Sequence, residues 1–306
     1  MTTATRSGIS RYTVGLPILL FIVLAASVPE FAATRNLANI SGQIAALLIV
    51  TLGQLLVALI AGIDLSVGSV VSLAGCIVAT HADPLQGVLL ALALGAVVGL
   101  VNGLGVALAN IHPLVMTLST MTFLQGLAFL ILPIPGGQVP AALGQAANGD
   151  LWGLPLPLLW CAVCAALVGL LLHRSRLGLH IFAVGANPRS ASLNGVRTLG
   201  VVVAAYVMCS LLAVVAGIYL AARVSSGDPG MGASFSLESV TAIALGGVQL
   251  TGGVGSIAGV VTGALSLGLI TNGINLFGIS PFLRGTITGV LLLAAVCVQR
   301  RRAVGL

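Results

Sequence analysis

The sequence predicts an all-α polytopic membrane protein of about ten transmembrane helices with an inverted internal repeat. Three observations predict it. Hydrophobic residues make up 58% of the 306 positions and charged residues 6%, against roughly 25% charged in soluble domains. The mean hydropathy is +1.18. The apolar residues are gathered into ten runs, several of the ~20-residue length that crosses hydrocarbon. Such a chain cannot cover a water-facing surface, but it can be solvated by lipid.

In chain order, residues 1–11 are polar and contain Arg6 and Arg11, and the first apolar run covers 12–28 up to Pro29-Glu30. A basic start followed by an apolar stretch has the form of a signal peptide. It is read as a retained first helix, because the helix count requires it. Further runs follow at about 37–60, 67–81, 86–109, 114–132, 153–172, 200–222, 237–250, 254–276 and 282–298. Runs 67–81 and 237–250 are short and read as half-helices or tilted pieces. One transmembrane domain, 1–306, thus divides into a first helix (12–28), a first repeat half (37–132), a loop (173–199) and a second repeat half (200–298).

Charge fixes the expected orientation. All twelve basic residues are arginine. With the N-terminus inside, alternation places Arg6, Arg11, Arg174, Arg176, Arg189, Arg197, Arg300, Arg301 and Arg302 inside. Arg35, Arg223 and Arg284 fall outside, as do Glu30, Asp83, Asp150, Asp228 and Glu238. Arginine-rich loops resist translocation, so both termini and the central loop are expected in the cytoplasm. The net charge of +6 is therefore no nucleic-acid footprint, because it sits at loops and ends.

The repeat is legible in two segments. Residues 95–113 read GAVVGLVNGLGVALANIHP and residues 263–281 read GALSLGLITNGINLFGISP. Each holds an Asn-Gly (Asn102-Gly103, Asn272-Gly273) and ends in Ile-x-Pro (Ile111 to Pro113, Ile279 to Pro281). Glycines four apart accompany both: Gly95, Gly99 and Gly103, then Gly255, Gly259 and Gly263. Small residues at that spacing let helix backbones approach closely in lipid. Under the alternating topology the copies run in opposite directions, the arrangement that places a solute path at the repeat interface in transporters.

The longest polar interruption is His173 to Thr198, with four of the twelve arginines. Within it Asn187 can cap a helix, Pro188 fits the first turn, and Gly195 suits a left-handed stop. From composition alone this is either a charged hairpin that fixes topology or a short cytoplasmic helix. The other informative stretch is Ala61 to Gly75, AGIDLSVGSVVSLAG. Asp64 is the only acid on the inner side of this topology. It can cap the helix that restarts there, as can Ser66, or it can take part in transport.

Several chemistries are excluded. No G-x-x-x-x-G-K-[ST] is present, so ATP hydrolysis needs a separate subunit. There is no His-Glu-x-x-His and no nucleophile elbow, and the four histidines stand apart, so no catalytic residue, cofactor or metal is expected. Cys161-x-x-Cys164 lies in an apolar run and reads as helix packing.

The blocks GIDLSVGSVVSLAG, NGLGVALANIHPLVMTLSTMTFLQGLAFLI, SRLGLHIFAVGANPRSASLNGV and AIALGGVQLTGGVGSIAGVVTGALSLGLITNGIN, in this order, resemble the permease subunits of ribose-type ABC sugar importers. The resemblance covers roughly residues 12–300. It implies about ten transmembrane helices per subunit and a pair of permeases, identical or different, over two cytoplasmic ATPase subunits. A periplasmic or lipid-anchored sugar-binding protein would feed them. It also implies that Gly185, Asn187, Pro188, Arg189, Ala191, Asn194 and Gly195 form the short helix, with its flanks, that docks on the ATPase. At 133–150, PIPGGQVPAALGQAANGD, the chain resembles no block of the family.

The functional expectation is a permease subunit for a monosaccharide, ribose- or xylose-like, in a bacterial cytoplasmic membrane. Candidate path residues are Gln54, Asp64, Asn102, Thr117, Thr120, Gln125, Asn272 and Asn275, which suit a polar, neutral solute. The alternative is an ion-coupled secondary transporter, which would bury several ionisable residues at mid-membrane. The topology makes a direct prediction. Cysteine at Gln145 should label from outside intact cells and cysteine at Ser192 only from inside. External labelling at Ser192 would refute the orientation.

Overall fold

The computed structural model describes residues 11–280 and 282–298. Arg6, Pro281, Arg300, Arg301 and Arg302, used above for charge and repeat, lie outside these residues. Thirteen helices are described: α1 (Arg11–Ser27), α2 (Thr34–Leu59), α3 (Val67–Thr80), α4 (Pro84–Ala107), α5 (Pro113–Ile131), α6 (Ala141–Asn148), α7 (Leu156–Arg174), α8 (Arg176–Ala186), α9 (Pro188–Leu193), α10 (Thr198–Val224), α11 (Phe235–Leu245), α12 (Ile257–Leu276) and α13 (Phe282–Val298). A two-stranded hairpin, β1 (Asp150–Leu151) and β2 (Leu154–Pro155), precedes α7.

The protein is all-α and polytopic. Six helices are long and apolar enough to cross a membrane: Asn36–Leu59 within α2, then α4, α5, α7, α10 and α12. Shorter apolar helices lie within α1, α3, α8, α11 and α13. All ten apolar runs of the sequence contain a helix, and proline or a polar cap marks many starts. Asp83 accepts the Leu85 N–H at 2.9 Å ahead of Pro84, and Ser256 accepts the Gly259 N–H at 3.1 Å.

α2 is the buried axis of the bundle, while α5 and α7 turn most of their surface outward. Phe123, Leu130 and Leu167 are exposed there, as expected of helices solvated by lipid. α10 packs against α2, α3 and α4, and α2 packs against α12. A Cβ at Gly99 of α4 would overlap the backbone of Val207 in α10, and one at Gly103 would come within 2.7 Å of the Val203 Cα. On the other side, a Cβ at Gly263 of α12 would overlap the Ala242 carbonyl of α11. Each glycine thus marks a near-backbone contact, the close packing available to small residues in lipid.

The two short runs are interrupted pieces. Between α2 and α3 the backbone leaves helical form at residues 60–66, with Ala61 at φ 61°. Between α10 and α11 it does so at residues 225–234. This second segment runs back along α3: Gly227 lies beside Ala79, Met231 beside Gly75, and Gly232 beside Gly68. The Gly232 N–H donates to Ser72 Oγ at 2.9 Å, and Ser236 Oγ donates to the Leu65 carbonyl at 2.7 Å. The N-terminal ends of α3 and α11 therefore lie side by side.

Two local readings of the sequence need correction. The stretch 173–199 is mostly helical: α7 extends to Arg174, and α8 fills 176–186 before α9 begins. Ser175 caps α8 by accepting the Gly178 N–H at 3.0 Å, a signal overshadowed by the loop's charge. Glu238, placed with the acids on the outer side, is a buried residue in the first turn of α11. It is paired with Arg284 of α13 at 2.8 Å, which removes the isolated charge that would have kept it at the surface.

The glycine contacts give a stability prediction. Gly99→Val should force α4 and α10 apart and cost about 1–3 kcal/mol or more, as overpacking does. Gly126→Ala adds a methyl where nothing lies within 4 Å. Thermal unfolding in detergent should fall clearly for the first and stay near wild type for the second.

Candidate functional site: a polar break, a capped helix pair and a cavity

Five of the eight candidate path residues meet at the break between α2 and α3. Asp64 Oδ1 accepts the Ser66 N–H at 2.9 Å and the Ser66 hydroxyl at 2.6 Å. Ser66 Oγ in turn accepts Asn102 Nδ2 at 2.9 Å, and Asn102 Oδ1 accepts the Thr120 hydroxyl at 2.6 Å. Thr117 Oγ1 lies 3.4 Å from the Ile63 carbonyl. With its amide nitrogen facing the Asp64 carbonyl, Gln54 bonds both the N–H and the C=O of Asp64, each at 3.1 Å. Gln54, Asp64, Ser66, Asn102 and Thr117 are all fully buried.

The chemistry of this cluster is mutual satisfaction. An extended backbone inside an apolar bundle has free N–H and C=O groups, and each unpaired one costs free energy. Gln54 acts as a surrogate peptide across the break. Asp64 bonds the N–H of Ser66 rather than one within α3, and Ser66 itself makes no side-chain capping bond to α3. Asp64 Oδ2 and the Tyr206 hydroxyl are buried with no hydrogen-bond partner among the described residues.

The other three candidates stand elsewhere. Gln125 joins α5 to the second break, donating to the Pro229 carbonyl at 2.7 Å and accepting from Ser69 at 3.4 Å. Asn272 exchanges reciprocal amide bonds with Asn36 of α2, at 3.0 and 3.3 Å. Asn275, one turn further on, is exposed and lines a cavity of about 340 Å³ with Gln43, Arg223, Asp228, Thr271 and Arg284 among others. Asn102 and Asn272, which hold matching places in the sequence, thus bond to different partners.

The helix pair α8–α9 lies at the end of the bundle where α2 finishes. Gly185 sits so close to the Leu59 carbonyl that a Cβ would overlap it, and the Gly253 N–H donates to the same carbonyl at 2.9 Å. Asn187 caps α9 by accepting the Ser190 N–H at 2.9 Å, with Pro188 in the first turn. Asn194 returns a side-chain bond to the Ser190 carbonyl at 2.8 Å, and Gly195 takes φ +82°. Ala191 is the buried face of α9, and Arg189 is exposed. Leu193, which composition did not single out, is 82% exposed. It is an apolar knob on an otherwise polar turn, and only its projection in three dimensions makes it visible.

Arg174, Arg176, Arg189 and Arg197 belong to this end, and α1 begins there beside Gly247. Arg223 and Arg284 lie at the opposite end, where Arg223 Nη2 donates to the Asn39 carbonyl at 3.3 Å. No group of His, Cys, Asp or Glu able to hold a metal is present among the described residues. Loss of the surrogate peptide should be measurable. Gln54→Leu leaves the N–H and C=O of Asp64 unpaired, at about 1–3 kcal/mol per group. We expect a lower thermal midpoint in detergent, with Ser119→Ala, an exposed hydroxyl bonded to its own helix, near wild type.

The chain is similar to known proteins over nearly its whole length. Residues 36–296 match the family model described as branched-chain amino acid transport system / permease component. The ribose import permease protein RbsC of Escherichia coli K12 is 35% identical, covering 99% of this chain and 100% of that protein. RbsC of Bacillus subtilis is 33% identical over 94% of this chain and 92% of its own length. The L-arabinose transport system permease protein AraH of Escherichia coli K12 is 37% identical, over 92% and 88% respectively. No solved structure matches. By this end-to-end similarity the chain belongs to the branched-chain amino acid transport system / permease component family and is a multi-pass transporter subunit rather than a catalytic enzyme.

Proposed function

We propose that the chain is the membrane-spanning subunit of an ATP-driven, binding-protein-dependent importer and forms the path for a monosaccharide of the ribose or xylose kind. The observation that carries this reading is similarity over the whole chain to permeases named for ribose and arabinose. Its setting is the bacterial cytoplasmic membrane, with both termini and α8–α9 on the cytoplasmic side. Four arginines at the α8–α9 end support that orientation.

Ten spans in two inverted halves complete the proposal. Support comes from the pairing of the long helices: α10 lies on α4 as α2 lies on α12. α4 approaches the α8–α9 end at Asn102, whereas α12 leaves that end at Gly255, so the two run in opposite directions. The interrupted α3 and α11 occupy corresponding places in the two halves, as in transporters built from inverted repeats.

Energy enters through protein contact, because the chain has no nucleotide-binding motif. In this reading α9 fills a cleft of a separate ATPase subunit, with Leu193 as its apolar anchor and Arg189 beside it. Gly185, wedged on the Leu59 carbonyl, passes displacement of α8 to the end of α2 and so to the break holding Asp64. A second permease subunit and an external sugar-binding protein complete the assembly. An ion-coupled mechanism is disfavoured because such carriers bury several ionisable residues, whereas of the two acids buried among the described residues Glu238 is paired with Arg284 and Asp64 alone carries an unpaired carboxylate oxygen.

The coupling reading is tested by Leu193→Asp and Gly195→Val in the reconstituted transporter. The Leu193 side chain touches solvent, and Gly195 requires positive φ, so both act on the shape of α9 rather than on the bundle. ATPase co-purification or sugar-stimulated hydrolysis should fall about tenfold with the permease still inserted. Normal association and stimulation in both variants would reduce this region to a topology anchor.

A further inference from the structure

The cavity at the end opposite α8–α9 lies away from the residues of the α2–α3 break. It lies between α2, the end of α10, the second break, α12 and α13, and its volume of about 340 Å³ falls in the range of small-ligand sites, about 300–1,000 Å³. A second cavity of about 580 Å³, next to α6 and the start of α7, shares Gln43, Leu220, Arg223 and Val224 with it. Arg223 stands between the two. Its guanidinium crosses Gly42 so closely that a Cβ there would lie 2.5 Å from Cζ.

The charges in the wall cancel. Arg223 and Arg284 are cations, Asp228 is an anion, and the Arg284 guanidinium is held by the buried carboxylate of Glu238 at 2.8 Å. A site with two cations and two anions offers no net attraction to an ion. Among the neutral groups of the wall, the amides of Gln43 and Asn275 and the hydroxyl of Thr271 make no hydrogen bond with any described residue, while Arg223 and Asp228 keep charged atoms toward the cavity. Thr271 is buried in α12, and Gln43 and Asn275 reach the cavity from α2 and α12. Amides and hydroxyls both donate and accept, which is the complement of vicinal hydroxyls on a small ring. Leu47, Leu220, Met231 and Phe235 supply an apolar wall for the C–H face of such a ring.

We infer that this cavity is a binding site for one neutral polyhydroxylated solute of monosaccharide size, with Gln43, Thr271 and Asn275 as its hydrogen-bonding residues and Arg223 at its entrance. The inference rests on the sugar-importer reading and locates the solute away from the Asp64 break. It also separates the candidates: Asn275 contacts solute, whereas Asn102 and Asn272 hold helices together.

The test uses the complete transporter in cells supplied with radiolabelled D-ribose, D-xylose and L-arabinose. Asn275→Cys and Gln43→Cys are treated from outside with a membrane-impermeant methanethiosulfonate, with wild type treated in parallel to account for the native cysteines. Modification should lower uptake of the transported sugar at least tenfold, and thiol reductant should restore it on the same folded protein. Thr271→Val should lower uptake about tenfold in a complex that still co-purifies. Uptake of a monosaccharide by wild type together with unimpaired uptake by modified Asn275→Cys, modified Gln43→Cys and Thr271→Val would overturn the site while leaving the importer reading intact. ATP-dependent uptake of none of the three sugars by wild type would overturn the importer reading and the site with it.

Discussion

The structure depends on satisfying unpaired peptide groups at two places where a helix is interrupted inside an apolar bundle. In lipid no water replaces a missing helical hydrogen bond, so irregular backbone survives only where protein supplies its partners. The α2–α3 break obtains them from Gln54, Asp64, Thr117 and Ser236. The α10–α11 break obtains them from Ser72, Gln125 and its own Asp228, which accepts the Gly230 N–H at 2.7 Å. Several of these partners bridge the two halves of the chain. The breaks are thereby tied to each other and to α5, and α10 fits against α3 through Gly217, where a Cβ would overlap the Val71 carbonyl.

This arrangement divides the polar residues by task. Those at the α2–α3 break bond one another and leave little to offer a passing solute. Around the cavity at the end opposite α8–α9, the side chains of Gln43, Thr271 and Asn275 are unspent. The two groups lie toward opposite ends of α2, from Gln43 to Gln54, with the packed stretch Ile44 to Gly53 between them. In the proposed coupling, a displacement entering at Gly185 would reach the break first. Movement of α2 as a rigid rod would carry it to Gln43 and Arg223.

Much of the architecture was legible in the sequence because lipid imposes simple rules. Every apolar run became a helix, since no other local structure satisfies its own backbone there. The cap of α9 could be read because its signal is local: Asn187, Pro188 and Gly195 act within eight residues of one another. The glycines four apart announced close packing, but not which helix would be met. Long-range pairing was not legible. Nothing in the sequence marked the partner of Gln54, the Asp64 backbone ten residues away across the break. Asn36 with Asn272, and Glu238 with Arg284, are matched only by the fold. Ser175 was hidden among arginines, and so α8 merged with its loop.

The central claim is that both breaks are held as firmly as the helices they join. Hydrogen–deuterium exchange of the intact permease in lipid nanodiscs tests it most directly. The account predicts that the amides of Gly62, Asp64, Ser66 and Gly232 exchange slowly, at rates near those of α2 and α10 and far below those of the exposed hairpin at 150–155. Exchange of the two breaks as fast as that hairpin would contradict it, because their backbone groups would then be paired with water rather than with the protein.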